Sequence, residues 1–200
     1  MDPPETQVLA YQLGPLSYYC GSDASSATVI PRSTGDIQYG TPQLAAVSGG
    51  YAALIPTERW DTPGRRDARP VKTRSAHLVF SHDGGETWTK APDPLPAKVA
   101  DRATSLRFGA HGDTLALAYA LPQRREPRTG HRSLWVQTSH DTGRSWSMPL
   151  RPPEPAMAGG SHMEPLDLVV RDGAAALLYH CTASTRISHP HTVLAATWDL

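Results

Sequence analysis

A run of eight residues occurs twice in this chain, each time after a matching upstream stretch, and that repetition constrains the fold more than any other feature. Ser81-His82-Asp83-Gly84-Gly85-Glu86-Thr87-Trp88 and Ser139-His140-Asp141-Thr142-Gly143-Arg144-Ser145-Trp146 share the pattern Ser-x-Asp-x-Gly-x-Ser/Thr-Trp, with the aspartates 58 residues apart. The same step from Asp141 reaches Asp199 in Thr197-Trp198-Asp199, and a step of 60 back from Asp83 reaches Asp23 in the poorer copy Gly21-Ser22-Asp23-Ala24-Ser25. Strand-like stretches precede the two good copies, Arg74 to Ser81 and Arg132 to Ser139. Further upstream, Gln43 to Ile55, Ser105 to Leu121 and Leu166 to Cys181 each read as apolar strand, turn and apolar strand, with Gly50, Gly112 and Gly173 in register. A period of this length marks stacked supersecondary units that bury their faces against one another.

Each unit predicts a hairpin, a connection, a third strand, a motif-bearing turn and a short fourth strand, which is a four-stranded antiparallel blade. Strands are expected near 43–48, 51–56, 74–81, 105–109, 114–121, 132–139, 166–171, 174–181 and 192–198, with essentially no helix. In Leu115-Ala116-Leu117-Ala118-Tyr119-Ala120-Leu121 large residues alternate with alanines. Both faces are therefore apolar, as in a sheet held between two neighbours. The 19 Pro and 16 Gly suit many short elements joined by turns. Lys plus Arg equals Asp plus Glu at 19 each, so no global field recommends nucleic acid or a membrane surface as partner. No run is long enough to span a bilayer, and the Met1-Asp2-Pro3-Pro4-Glu5 start has neither the basic nor the apolar part of a secretory signal. The compartment stays open. Cys20 and Cys181 read as free thiols, because two distant cysteines make no disulfide framework.

The motif itself suits a tight turn: Ser81, Asp83, Ser139 and Asp141 offer oxygens to turn N–H groups, Gly85 and Gly143 take positive φ, and Trp88 and Trp146 cover the turn. That chemistry accounts for the aspartates without a catalytic role. On these residues the chain resembles the Asp-box, or BNR, repeats of the sialidase (neuraminidase) superfamily, and the strand register extends the resemblance over nearly the whole chain. The resemblance implies an all-β, sialidase-like β-propeller of four-stranded antiparallel blades, incomplete at about three to three and a half. Residues 1–35 would end one blade, 36–97 and 98–158 would each form a blade with its box, and 159–200 would form a truncated one. Six such units would need about 348 residues, so open blade edges that invite self-association are expected.

In that family the active site lies opposite the boxes, and a meander sends the loops between second and third strands to the same end. There the sequence gathers charge. Residues 58–74 hold Arg59, Arg65, Arg66, Arg69, Lys72 and Arg74 against Glu58, Asp61 and Asp67, residues 124–132 hold Arg124, Arg125, Arg128 and Arg132 against Glu126, and the last loop holds Arg186, His189 and His191. Arg59, Arg65, Arg66, Arg124, Arg125 and Arg186 are thus candidate contacts for an anionic carbohydrate, since guanidinium groups recognise carboxylate, sulfate or phosphate bidentately.

The resembled enzymes bind a substrate carboxylate with three arginines and use a Tyr nucleophile assisted by Glu, with an Asp as acid/base. Tyr39-Gly40-Thr41-Pro42 resembles their Phe-Arg-Ile-Pro element but puts Gly40 at the first arginine. Met163-Glu164-Pro165-Leu166 resembles the segment of the catalytic glutamate and keeps Glu164, while Cys181 fills the place of another arginine. Asp61 and Asp67 remain as candidate acids; Tyr119 and Tyr179 lie in apolar strands and read as core. The expectation is a propeller, related to the glycoside hydrolases of sialidase type, that binds or formerly hydrolysed an anionic glycan without conventional sialidase activity. It needs no cofactor and no metal, for nothing at ligand spacing completes His189-Pro190-His191. The alternatives are a non-catalytic propeller that contacts an acidic protein surface, and a truncated fragment without independent function.

Overall fold

A computed structural model describes residues 17–18, 28–29, 36–39, 41–61, 71–123, 132–152, 162–182 and 192–200. Two short strands, β1 (Ser17–Tyr18) and β2 (Thr28–Val29), pair with each other. The first large sheet holds β3 (Asp36–Tyr39), β4 (Gln43–Val47), β5 (Gly50–Asp61), β6 (Val71–Ser81) and β7 (Thr89–Lys90). A single helical turn, α1 (Ala97–Ala100), leads to the second, made of β8 (Thr104–His111), β9 (Thr114–Pro122) and β10 (Arg132–Ser139). The third comprises β11 (His162–Arg171), β12 (Ala174–Thr182) and β13 (Thr192–Asp199), all antiparallel neighbours. One parallel pairing, Arg132 with His162, links second and third sheets.

The sheets stack face to face because both sides of each central strand are apolar. Leu115, Leu117 and Tyr119 of β9 pack toward Leu54, Leu78 and Phe80 of the first sheet. Ala116 and Ala118, which alternate with them, join Leu134 and Val136 against Leu168, Val170, Leu177 and Tyr179 of the third. The alanines let one neighbour approach closely while the leucines fill the other interface, each buried leucine contributing about 1.5–3 kcal/mol. The described sheets do not close a ring.

Two details depart from the expected blade. The fourth strand is two residues long in the first unit, and in the second it shrinks to one bridge between Val136 and Leu150. The hairpin turns are Ser48-Gly49, Gly112-Asp113 and Asp172-Gly173, so the glycine of the first turn is Gly49 (φ 75°) and the aligned Gly50 already belongs to β5. Gly50 has a different reason to lack a side chain: a Cβ there would lie 1.9 Å from the carbonyl oxygen of Ser81.

Each inner strand carries one extra residue at the same height. In the first sheet four steps from Tyr39 to Gln43 face three from Thr57 to Leu54. In the second, three steps from Thr104 to Arg107 face two from Ala120 to Ala118, and in the third two steps from Pro165 to Asp167 face one from Tyr179 to Leu178. Such bulges bend a strand and re-aim the side chains that follow. The residues that resume pairing are Gln43, Arg107 and Asp167. Gln43 Nε2 donates to the carbonyl of Leu106 (2.8 Å), and Arg107 Nε donates to the carbonyl of Leu166 (2.5 Å), so each reaches the bulge of the next sheet. Gln43 Oε1 also accepts from Phe108 N (2.7 Å), fixing the first sheet to the second.

Candidate functional site

The Ser-x-Asp turns and the two-residue hairpins share one end of the stack, where Ser48 N donates to Gly112 O and Thr142 N to Asp113 O. The bulges sit toward the other end. Between the first and second sheets, beside those bulges, opens a cleft of about 400 Å³. Thr41, Gln43, Thr57, Ser75, Thr104 and Ser105 line it with hydroxyl and amide groups, and Pro56, Ala100, Ala103 and Leu106 add apolar wall. Ser105 has φ 53°, a left-handed conformation that the bulge imposes on it.

Glu58 and Arg74 close one side of the cleft. They face each other on β5 and β6, and Arg74 Nε donates to Glu58 Oε1 at 3.0 Å while Lys72 Nζ pairs with Glu58 Oε2. Burial pushes the Glu58 carboxyl upward, but the bonds from Lys72 and Arg74 outweigh it and hold the group below the usual carboxylate range. The backbone N–H of Arg74 donates to Asp101 Oδ1 (3.1 Å), which ties the cleft wall to the segment after α1.

A second cluster lies on the neighbouring sheets. Arg132 holds the position in β10 that Arg74 holds in β6, 58 residues on, and its Nη1 pairs with Glu164 Oε1 of β11. His162 Nε2 stands 3.4 Å from the same oxygen. Burial, and then the charge of Arg74, disfavour the charged form of Arg132, so the two arginines lie within each other's field. Among the described residues each commits one guanidinium N–H direction to a carboxylate, Nε in Arg74 and Nη1 in Arg132.

Of the residues singled out from sequence, Glu164 therefore sits in an ion pair on the third sheet and outside the cleft lining. Arg59 is half-buried near the end of β5, and Asp61 is its last residue, where the backbone alone is described. Arg65, Arg66, Asp67, Arg124, Arg125 and Arg186 lie outside the described residues. Tyr119 and Tyr179 are core residues, at 1% and 3% exposure, and burial raises both phenols, that of Tyr119 to about 12. Cys181 is fully buried. Among the described residues no group of three His, Cys, Asp or Glu could hold a metal, and no helix is long and apolar enough to cross a membrane. Gln43, Asp101 and Arg107 were not legible as site residues. Gln43 and Arg107 share a signal, one surplus residue in each inner strand, that is a matter of pairing register, and Asp101 follows α1.

Comparison with known proteins bears on the fold. No family model matches the sequence, and no curated protein matches it. Solved structures do match. A mutant sialidase of Trypanosoma rangeli with trans-sialidase activity superposes with TM-score 0.53 at 14% identity, over 96% of this chain and 32% of that one. The alpha-L-arabinofuranosidase of Lactobacillus brevis gives 0.52 at 12%, over 92% and 61%, and the alpha-L-arabinanase of Penicillium chrysogenum, complexed with arabinobiose, 0.50 at 16%, over 97% and 56%. The fold is that of a sialidase-like β-propeller, in part. The chain spans about a third of the sialidase and under two thirds of the other two. At these identities the likeness extends to architecture, shared by propeller glycoside hydrolases of different specificity, and the stacked sheets are its blades.

Proposed function

We propose that the chain is part of a glycoside-hydrolase-like propeller that binds an anionic glycan in the cleft between its first and second blades, without conventional sialidase chemistry. The observation that carries this reading is the cleft itself: a hydroxyl- and amide-lined groove beside strand bulges, with an arginine held in place on its wall. Sugars are recognised by such dense hydrogen-bonding groups over a small apolar floor. Arg74, with its Nε–H fixed by Glu58, would turn its remaining N–H groups to a carboxylate or sulfate, and Arg132 adds positive potential nearby. The arginine-rich sequences at 62–70 and 124–131 lie outside the described residues; as loops between second and third strands of a meander they would extend that potential over a larger sugar.

Against sialidase chemistry stand the glycine and cysteine at two positions where the resembled enzymes carry arginines. Tyr119 and Tyr179 lie in the core with raised pKa, where neither a nucleophilic phenolate nor a substrate is accommodated. The ion pair with Arg132 gives Glu164 a structural task that competes with assisting a nucleophile.

An array of sialylated, uronate-bearing and sulfated glycans beside their neutral counterparts tests the reading. Acidic glycans should be retained, less so in high salt, and Arg74→Met should weaken retention at least tenfold, about 1.4 kcal/mol. A fluorogenic sialoside should be hydrolysed no faster than in buffer. Retention of neutral glycans alone would remove the anionic part of the proposal, and no retention at all would remove the whole.

A further inference from the structure

We infer that the open face of the third blade is a self-association surface, on which a second copy of this chain docks by a two-fold axis with the two β11 strands antiparallel. The internal repeat supplies the first half of the argument. In the second blade the corresponding face, formed by Ala116, Ala118, Leu134 and Val136, is buried against the third. The pairing register places Ala176, Leu178, Val193 and Ala195 at the same positions of the third blade, and all four are exposed. Leu178 is 41% exposed and Val193 57%, with Val169 beside them at 53%. A face with aliphatic side chains around two central alanines is shaped for close sheet-on-sheet packing, and here no described sheet covers it.

Charge supplies the second half and selects the occupant. Along β11 the side chains that share this face are Asp167, Val169 and Arg171, at every second residue. Acid, apolar, base reads the same when laid antiparallel against itself with the two reversed charges exchanged: Asp167 of one copy meets Arg171 of the other, and Val169 meets Val169. A two-fold contact requires such self-complementarity. Among the described residues Arg171, 81% exposed, bonds to the neighbouring Asp172, itself 73% exposed, so it can turn outward. Asp167 stands where Gln43 and Arg107 reach across to the next blade; its Oδ1 accepts from Leu168 N at 2.8 Å, and its exposed carboxylate can take a further donor, which Arg171 of the second copy provides.

Sedimentation equilibrium of the full chain tests this. We expect reversible dimerisation with a constant in the micromolar range, about −8 kcal/mol, from a small, mostly apolar contact. Leu178→Glu should weaken it at least tenfold. Asp167→Arg should weaken it severalfold by setting like charges together, and the double exchange Asp167→Arg with Arg171→Asp should restore it. Circular dichroism and melting verify that the variants are folded; these positions are exposed, and if Leu178→Glu fails to fold, the charge exchanges decide alone. A monomer at about 100 µM would overturn the inference, as would a dimer indifferent to these substitutions or a double exchange that does not recover.

Discussion

The two Ser-x-Asp turns are nearly superimposable in their polar contacts and differ in their tryptophans. In both, the serine hydroxyl donates to the aspartate at 2.8 Å and accepts from the glycine N–H, at 2.7 Å from Gly85 and 2.8 Å from Gly143. In both, the aspartate accepts from the backbone and hydroxyl of the residue four on, Thr87 or Ser145. Trp88 is buried against Ala53, Ile55 and Val79, and its Nε1–H donates to Gly85 O at 3.0 Å. Trp146 is half-buried at the margin of the core between the first two blades, and its buried Nε1 has no acceptor among the described residues. The polar skeleton of the turn is thus local and repeats faithfully, whereas the ring's environment is supplied by whichever blade stands next to it.

Truncating the rings should separate the two turns most strongly. Trp88→Ala is expected to cost about 3–5 kcal/mol and Trp146→Ala nearer 2, since less of the second ring leaves water; equal losses in urea unfolding would show that burial does not distinguish them. Gly50→Ala lies next in size. Its methyl would meet the Ser81 carbonyl at the start of the first turn, and a loss of about 1–3 kcal/mol with the second turn unaffected is expected from amide exchange near Trp88 and Trp146.

Replacing each ring by one without an N–H sharpens the comparison further. Trp88→Phe gives up a buried hydrogen bond and should cost about 1 kcal/mol more than Trp146→Phe, which removes an unsatisfied donor. Matching melting curves for the two variants would mean that the Trp146 donor has an acceptor in solution.

The smallest effect should be one the turns share. The hydroxyl and then the backbone N–H of Thr87 hold the Asp83 carboxyl down to about 2, and Ser145 does the same for Asp141. A carboxyl whose pKa is lower in the folded chain than in the unfolded one, near 3.9, stabilises fully above about pH 4 and loses that contribution as the pH falls toward 2. Thermal melting between those limits should decline less steeply in Asp83→Asn and in Asp141→Asn, by similar amounts. A decline as steep as that of the parent would place the acid sensitivity elsewhere.

How much of this was legible beforehand follows from the range of the interactions. Ser81, Asp83, Gly85 and Trp88 lie within eight consecutive residues, so their turn chemistry is written in one short segment and can be read there. The alternation of leucine and alanine in β9 likewise announces a strand buried on both faces. The cleft residues offer no such local mark. Gln43 and Leu106 are 63 residues apart, and Arg107 and Leu166 59. In the sequence Glu58 and Arg74 are two members of a charged stretch, 16 residues apart, and only strand pairing sets them opposite each other.

Sequence by itself therefore determined the all-β blade architecture, the position of the turns and the two-sided burial of the central strands, because these rest on period, turn chemistry and side-chain alternation over a few residues. Only the tertiary structure decided which charges neutralise one another, where the inner strands bulge and which tryptophan finds an acceptor. A one-residue surplus in a strand changes no composition and no alternation that a reader of the chain could weigh; it is defined by the strand opposite, and so exists only once the sheets have formed.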